Sequence, residues 1–155
     1  MAGLGGYIGY RETPLALLEG LGEFLRGRDE GLCLSVQGRV GFCMAAKPGQ
    51  EPVIKHLQAG GASYYVLCRA EKYLPSAEAF LLSLYLKHRA NMRRFVPFPC
   101  RYAVYDGRKR RILLGATEGR IYLWLKETGI WFADRTEWMP GGVAAQCALL
   151  TGLPR

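Results

Sequence analysis

The chain of 155 residues has no apolar run close to the roughly 20 residues that are needed to span a bilayer. Its first residues do not have the basic and then apolar pattern of a secretory signal. Ala2 stands where N-myristoylation requires a glycine. We therefore expect no transmembrane segment and a cytoplasmic location.

Patterns of metal ligands are also lacking. The chain has five cysteines, an odd number with no CxxC pair, and its two histidines, His56 and His88, are not next to a cysteine or an acidic cluster. An odd number of irregularly spaced cysteines is typical of reduced thiols. The sequence therefore predicts free cysteines, no metal site and no cofactor.

Acidic residues are scarce in one third of the chain. Half of all residues are hydrophobic and 22% are charged, which is typical of a globular domain. The formal net charge is +8, and residues 69–120 hold 12 of the 21 basic residues but only 4 of the 13 acidic ones. The entire positive excess therefore lies in that third. Partners that suit such a charge are nucleic acid, an anionic surface or an acidic protein.

The densest basic run follows a turn signal. Asp106-Gly107 precedes Arg108, Lys109, Arg110 and Arg111, which predicts four cations at a hairpin tip. Two interpretations stay open. The run is either a solvated turn that blunts a sheet edge, or, together with Arg93 and Arg94, a contact surface for RNA or an acidic partner.

Hydrophobic periodicity and turn residues predict one α+β domain over residues 1–155, with an antiparallel meander and packed helices. Helices are expected after Thr13-Pro14 and after Ser76, and a last helix over residues 143–150. Residues 1–12, which are rich in glycine, are expected to be irregular. The expected strands cover residues 32–36, 40–45, 62–69, 101–105, 112–116, 120–125 and 130–133.

Two short segments resemble a known family. Residues 95–107 read Phe-Val-Pro-Phe-Pro-Cys-Arg-Tyr-Ala-Val-Tyr-Asp-Gly, and Gln146-Cys147 begins an apolar segment some forty residues later. They are similar to the H-box and NC-box of the lecithin:retinol acyltransferase-like proteins, which belong to the NlpC-type, permuted papain-like enzymes. The same boxes occur in picornavirus 2A proteins. The resemblance covers about residues 93–153 and leaves residues 1–92 unassigned.

In the enzymes of that family, a cysteine thiolate attacks an acyl carbonyl with a histidine as the base. The resemblance places Cys147 at the nucleophile position and Arg101 at the position of the H-box histidine. The position that orients the histidine falls on Leu113 or Leu114. Arginine stays protonated near neutral pH and is no general base. The resemblance therefore implies a permuted papain-like scaffold with no catalytic residues, in which Arg101, Leu114 and Cys147 are vestigial.

Three hypotheses follow. The first is a non-enzymatic viral protein of the 2A type in the host cell cytoplasm, which acts in replication or encapsidation through host or viral proteins or RNA. The second is a thiol acyltransferase or phospholipase that uses Cys147 with His88 or His56 as its base. The third is a cellular protein-interaction domain.

Overall fold

The computed structural model describes residues 3–28, 30–70, 72 and 74–151. This part contains the helices α1 (Leu15–Leu25) and α2 (Ala77–His88), a 3₁₀ helix at Arg89–Phe95, and two antiparallel sheets. The strands are β1 (Gly3–Gly9), β2 (Gly31–Gln37), β3 (Val40–Ala46), β4 (Lys55–Ala59), β5 (Ala62–Ala70), β6 (Cys100–Asp106), β7 (Arg111–Ala116), β8 (Ile121–Lys126), β9 (Gly129–Ala133), β10 (Val143–Ala145) and β11 (Cys147–Thr151).

The elements form four layers. A six-stranded sheet has the order β10-β8-β9-β1-β3-β2, and a five-stranded sheet has the order β11-β7-β6-β5-β4. The two sheets face each other across a core that includes Phe42 and Leu114. Helix α1 buries Leu21 on the outer face of the first sheet, and α2 buries Leu81 on the outer face of the second. The α+β prediction is confirmed, as a helix–sheet–sheet–helix sandwich.

Most of the expected elements form. The hairpin of β2 and β3 and the strands β5 to β9 lie where the sequence predicts them. The expected meander of four strands does not form, because β6 and β7 pair in the five-stranded sheet and β8 and β9 pair in the six-stranded one. Both expected helices form, but neither has a capping hydrogen bond from a side chain at its start. The Thr13 hydroxyl donates instead to the Gly38 carbonyl oxygen at 2.8 Å. Strand β4 was not predicted.

The expectation of an irregular segment at residues 1–12 is wrong, because residues 3–9 form a central strand. The glycines are needed for packing. A Cβ atom on Gly5 would lie 2.9 Å from the Leu21 side chain of α1, and one on Gly6 would lie 2.5 Å from the Gly41 carbonyl oxygen. Here the lack of side chains lets α1 and neighbouring strands approach the backbone of β1 closely.

The predicted helix over residues 143–150 is also wrong. That segment forms two short edge strands, one in each sheet, with Val143 paired to Leu123 and Cys147 paired to Gly115. Its run of small apolar residues has no helical periodicity of its own, and pairing with β8 and β7 decides its conformation.

Within the described residues, neither helix has the length and the apolar character that crossing a membrane requires.

The close packing of Tyr102 on Gly115 predicts a sharp cost for a single methyl group. A Cβ on Gly115 would lie 2.2 Å from the Tyr102 hydroxyl oxygen and ring, so Gly115→Ala should lower the free energy of unfolding by about 1–3 kcal/mol. Urea denaturation measures the change. Gly20→Ala is the matched control, because nothing lies within 4 Å of its Cβ, and it should stabilise α1 by up to about 1 kcal/mol. A Gly115→Ala variant as stable as the wild type would contradict this packing.

Candidate functional site

A buried carboxylate joins the two sheets. Asp134 follows β9, and its Oδ2 accepts a hydrogen bond from Nη1 of Arg69 at 3.2 Å and lies 3.7 Å from Nη1 of Arg101. The other oxygen, Oδ1, accepts from the Leu4 N–H at 3.2 Å. Arg69 and Arg101 are directly opposite each other on β5 and β6. One carboxylate thus stands between two guanidinium groups that would otherwise repel each other.

The charges in this cluster do not balance. Burial raises the pKa of Asp134, and the contact with Arg69 opposes that rise. Arg101 has a buried Nε that makes no hydrogen bond with any described residue. Its guanidinium lies against Gly119, where a Cβ would come within 2.0 Å of a terminal nitrogen. The cluster therefore has one positive charge more than its single carboxylate neutralises, and one unused donor.

A pocket of about 690 Å³ opens beside this cluster. Its walls are the end of β3, the 49–53 turn, the end of β5 and the start of α2. Arg69 reaches into it from β5 with about a quarter of its side chain exposed. The other charged groups of the lining are Lys55, Lys72, Glu51 and Glu78. The pocket therefore combines an apolar wall with cations and two carboxylates.

The thiol that lines this pocket is not activated. A hydrogen bond with Cys100 and burial raise the pKa of Cys68. A thiol with a raised pKa forms little thiolate at neutral pH and is a poor nucleophile. The described lining of the pocket contains no histidine that could accept the proton.

Arg101 and Cys147, which the two boxes would bring together, lie on opposite faces of one sheet. Tyr102, Gly115 and Cys147 form one cross-strand row, whereas Arg101 pairs with Ala116 in the next row. Because side chains alternate between faces along a strand, Arg101 points into the sandwich and Cys147 points to the side of α2. Leu114 packs in the core between the sheets. The three vestigial positions therefore do not form one site.

His56 is not placed as a partner of Cys147. His56 is on β4, at the opposite edge of the five-stranded sheet from β11, so the two strands are about 19 Å apart. His88 stacks on Phe95 with the ring centroids 3.7 Å apart. Burial raises the pKa of the Cys147 thiol, although the Arg93 guanidinium opposes this.

The six cations that were predicted to form a binding surface fall into two places. The Nε of Arg93 donates to the carbonyl oxygen of Ala116 at 2.7 Å, at the end of β7. Arg111 is at the start of β7, about 17 Å away along the strand. Arg93 and the neighbouring Arg94 therefore lie apart from the run at Arg108–Arg111.

That run does form the tip of the β6–β7 hairpin, as the sequence predicts. Asp106 Oδ1 accepts hydrogen bonds from the backbone N–H groups of Arg108 and Lys109, at 3.1 Å each. The Arg108 side chain donates to the Gly60 carbonyl oxygen at 3.0 Å, and Nε of Arg111 donates to the Tyr85 hydroxyl at 3.4 Å. The side chains of Lys109 and Arg110 are exposed. Two of the four cations thus have structural partners.

No group of three or more His, Cys, Asp or Glu residues converges as a metal site within the part of the chain that the structure describes. All five cysteines are free thiols, and Cys147 is the exposed one among them.

Sequence reasoning missed the cluster at Asp134. Arg69 and Arg101 are 32 positions apart, and Asp134 is in a third segment, so only the strand pairing brings them together. One signal was available: two cations opposite each other on neighbouring strands need an acidic partner.

Comparisons with known proteins were made on the sequence and on the fold. No protein-family model matches the chain, and no curated protein matches it. Among solved structures, the chain is similar to glutamine phosphoribosylpyrophosphate amidotransferase from B. subtilis, determined in complex with ADP and GMP. The TM-score is 0.64 at 11% sequence identity, over 92% of this chain and 44% of that chain. At this identity the likeness shows a shared fold, and this chain spans less than half the length of the enzyme.

The raised pKa of Cys147 predicts slow alkylation. Because less of the thiol is ionised, its rate of reaction with iodoacetamide at pH 7 should be below that of a free cysteine and should rise steeply as the pH passes 9. Peptide mass spectrometry across pH 6–10 measures it, with Cys147→Ser to assign the peptide. Fast labelling that is already complete at pH 6 would indicate an activated thiol and would favour the thiol-enzyme hypothesis.

Proposed function

We propose that this chain is a non-enzymatic binding domain whose pocket beside Arg69 holds a small ligand with a free carboxylate. The observation that carries the proposal is the shared carboxylate of Asp134, which neutralises only one of the two guanidinium groups beside it, while one of these groups, that of Arg69, lines the pocket. Arginine binds a carboxylate through two parallel hydrogen bonds, which favours such a ligand at the exposed part of Arg69.

The name of the similar enzyme suggests the ligand class. The B. subtilis protein is a glutamine amidotransferase by name, and glutamine carries a free carboxylate and an amide. We infer that amino acids of this class suit a pocket of about 690 Å³ whose lining contains both cations and the carboxylates of Glu51 and Glu78, because a free amino acid presents both a carboxylate and an ammonium group.

The non-enzymatic part of the proposal rests on the thiols. Burial and a hydrogen bond with Cys100 raise the pKa of Cys68, within the pocket, and burial raises the pKa of Cys147, on the edge strand β11 of the same sheet. Amide or acyl transfer needs a nucleophile that is activated by a base or by a lowered pKa.

Titration calorimetry with L-glutamine, L-glutamate and succinate tests the ligand. Arg69→Gln should weaken binding about tenfold or more, because it removes a charged hydrogen-bond donor, whereas Arg69→Lys should weaken it less. Arg94→Gln, an exposed cation on the 3₁₀ helix, is the control and should leave the affinity unchanged. Each variant needs its unfolding midpoint measured, because Arg69 also pairs with Asp134.

Two results would contradict the proposal. One is the absence of binding at millimolar concentrations of all three carboxylates. The other is ammonia release from glutamine that Cys68→Ser abolishes, which would make the pocket an active site.

The hypothesis of a viral protein of the 2A type in the host cell cytoplasm stays a prediction, as does the cellular interaction domain. The 2A hypothesis expects Cys147 on a helix next to Arg101. Cys147 is instead on strand β11, with Arg101 on the opposite face of the sheet.

A further inference from the structure

A column of aromatic rings crosses the five-stranded sheet. His56, Tyr65 and Tyr105 pair in register on β4, β5 and β6. The His56 and Tyr65 rings are stacked with centroids 4.5 Å apart and an interplanar angle of 7°, and Tyr65 lies 6.3 Å from Tyr105. Phe42 of the other sheet packs on both tyrosines, at 6.0 and 5.9 Å. The column is therefore held rigidly by the core.

The outer end of this column is open. β4 is the edge strand of its sheet, and His56 is exposed, while Tyr65 and Tyr105 are half-buried. One face of the imidazole is covered by Tyr65, and the other has no stacking partner among the described residues. A flat ring that docks there would continue an ordered stack without a rearrangement of the protein.

Cations lie next to the inner end of the column. Tyr105 immediately precedes Asp106, which holds the hairpin tip through two backbone hydrogen bonds. Burial raises the pKa of Tyr105, and the charge of Arg110 opposes this rise, so the guanidinium is near the phenol. Lys109 and Arg110 have exposed side chains. Rings and positive charges thus share one end of the sandwich.

We propose that this end binds single-stranded nucleic acid, with one base stacked on His56 and the phosphates at Lys109 and Arg110. A set of cations alone would suit an acidic protein equally well. An aromatic platform combined with cations is the arrangement by which proteins bind single strands with little sequence preference, since every base has a flat face. The proposal is independent of the carboxylate pocket, because none of the residues that it uses lines that pocket.

Fluorescence anisotropy with a labelled 12-nucleotide adenine RNA tests it, against an abasic oligonucleotide of the same length and charge. The wild type should bind the base-containing strand about tenfold more tightly. His56→Ala should remove most of this preference and leave the salt dependence unchanged. His56→Tyr, which keeps a ring at the position, should retain it.

The contribution of the charged side chains is measured separately, by the salt dependence of RNA binding. Lys109→Gln with Arg110→Asn should reduce the slope of log K against log salt by about 1.4, because two phosphate contacts are lost. Asparagine is chosen because Arg110 has a φ of 52°, which asparagine tolerates. Arg108 and Arg111 are kept because they hold the turn. Arg94→Gln is the control and should change neither the slope nor the base preference.

Three outcomes would overturn the proposal. They are equal affinity for the base-containing and abasic strands, an unchanged preference in a folded His56→Ala variant, and the absence of RNA binding at low salt. An oligoglutamate peptide that binds as tightly as the RNA, and competes with it, would instead assign this end to an acidic protein.

Discussion

The sandwich depends on one buried ion cluster. Asp134 leaves the end of β9 and meets Arg69 and Arg101 of the opposite sheet, while its other oxygen accepts the N–H of Leu4 at the start of β1. Desolvation of a carboxylate costs several kcal/mol, and only close partners offset it. The cluster therefore helps to fix how the two sheets are placed relative to each other, in a region where the rest of the core is apolar.

The same cluster determines what the pocket can bind. Without Asp134, two guanidinium groups on paired strands would repel each other, and with it they retain a net positive charge. Arg69 lines the pocket and Arg101 does not, so only the Arg69 guanidinium is presented to a ligand there. The packing requirement and the proposed binding chemistry thus share one set of residues, and for this reason a variant at Arg69 has to be judged on both stability and affinity.

Local signals predicted the local elements well. The β6–β7 hairpin follows from alternating residues around Asp106-Gly107, and α2 follows Ser76 as predicted. The errors come from segments whose conformation is set by distant partners. The glycines of β1 allow Leu21 of α1 and Phe132 of β9 to pack directly on its backbone. The two strands within residues 143–151 form because they pair with the edges of β8 and β7. Neither reason is visible within the segment itself.

The positive charge of residues 69–120 shows how far a linear pattern can predict a site. In the fold it separates into three roles. Arg69 and Arg101 pair with the buried carboxylate of Asp134. Arg93 donates a hydrogen bond to the carbonyl oxygen of Ala116 at the end of β7. At the hairpin tip, the side chains of Lys109 and Arg110 are exposed to solvent. Lys109 and Arg110 remain available to a large partner, as does the exposed Arg94. Strand β6 covers about 17 Å between Arg101 and the hairpin tip. The length of this one strand therefore separates the pocket proposed for a small carboxylate from the hairpin tip proposed for a polyanion.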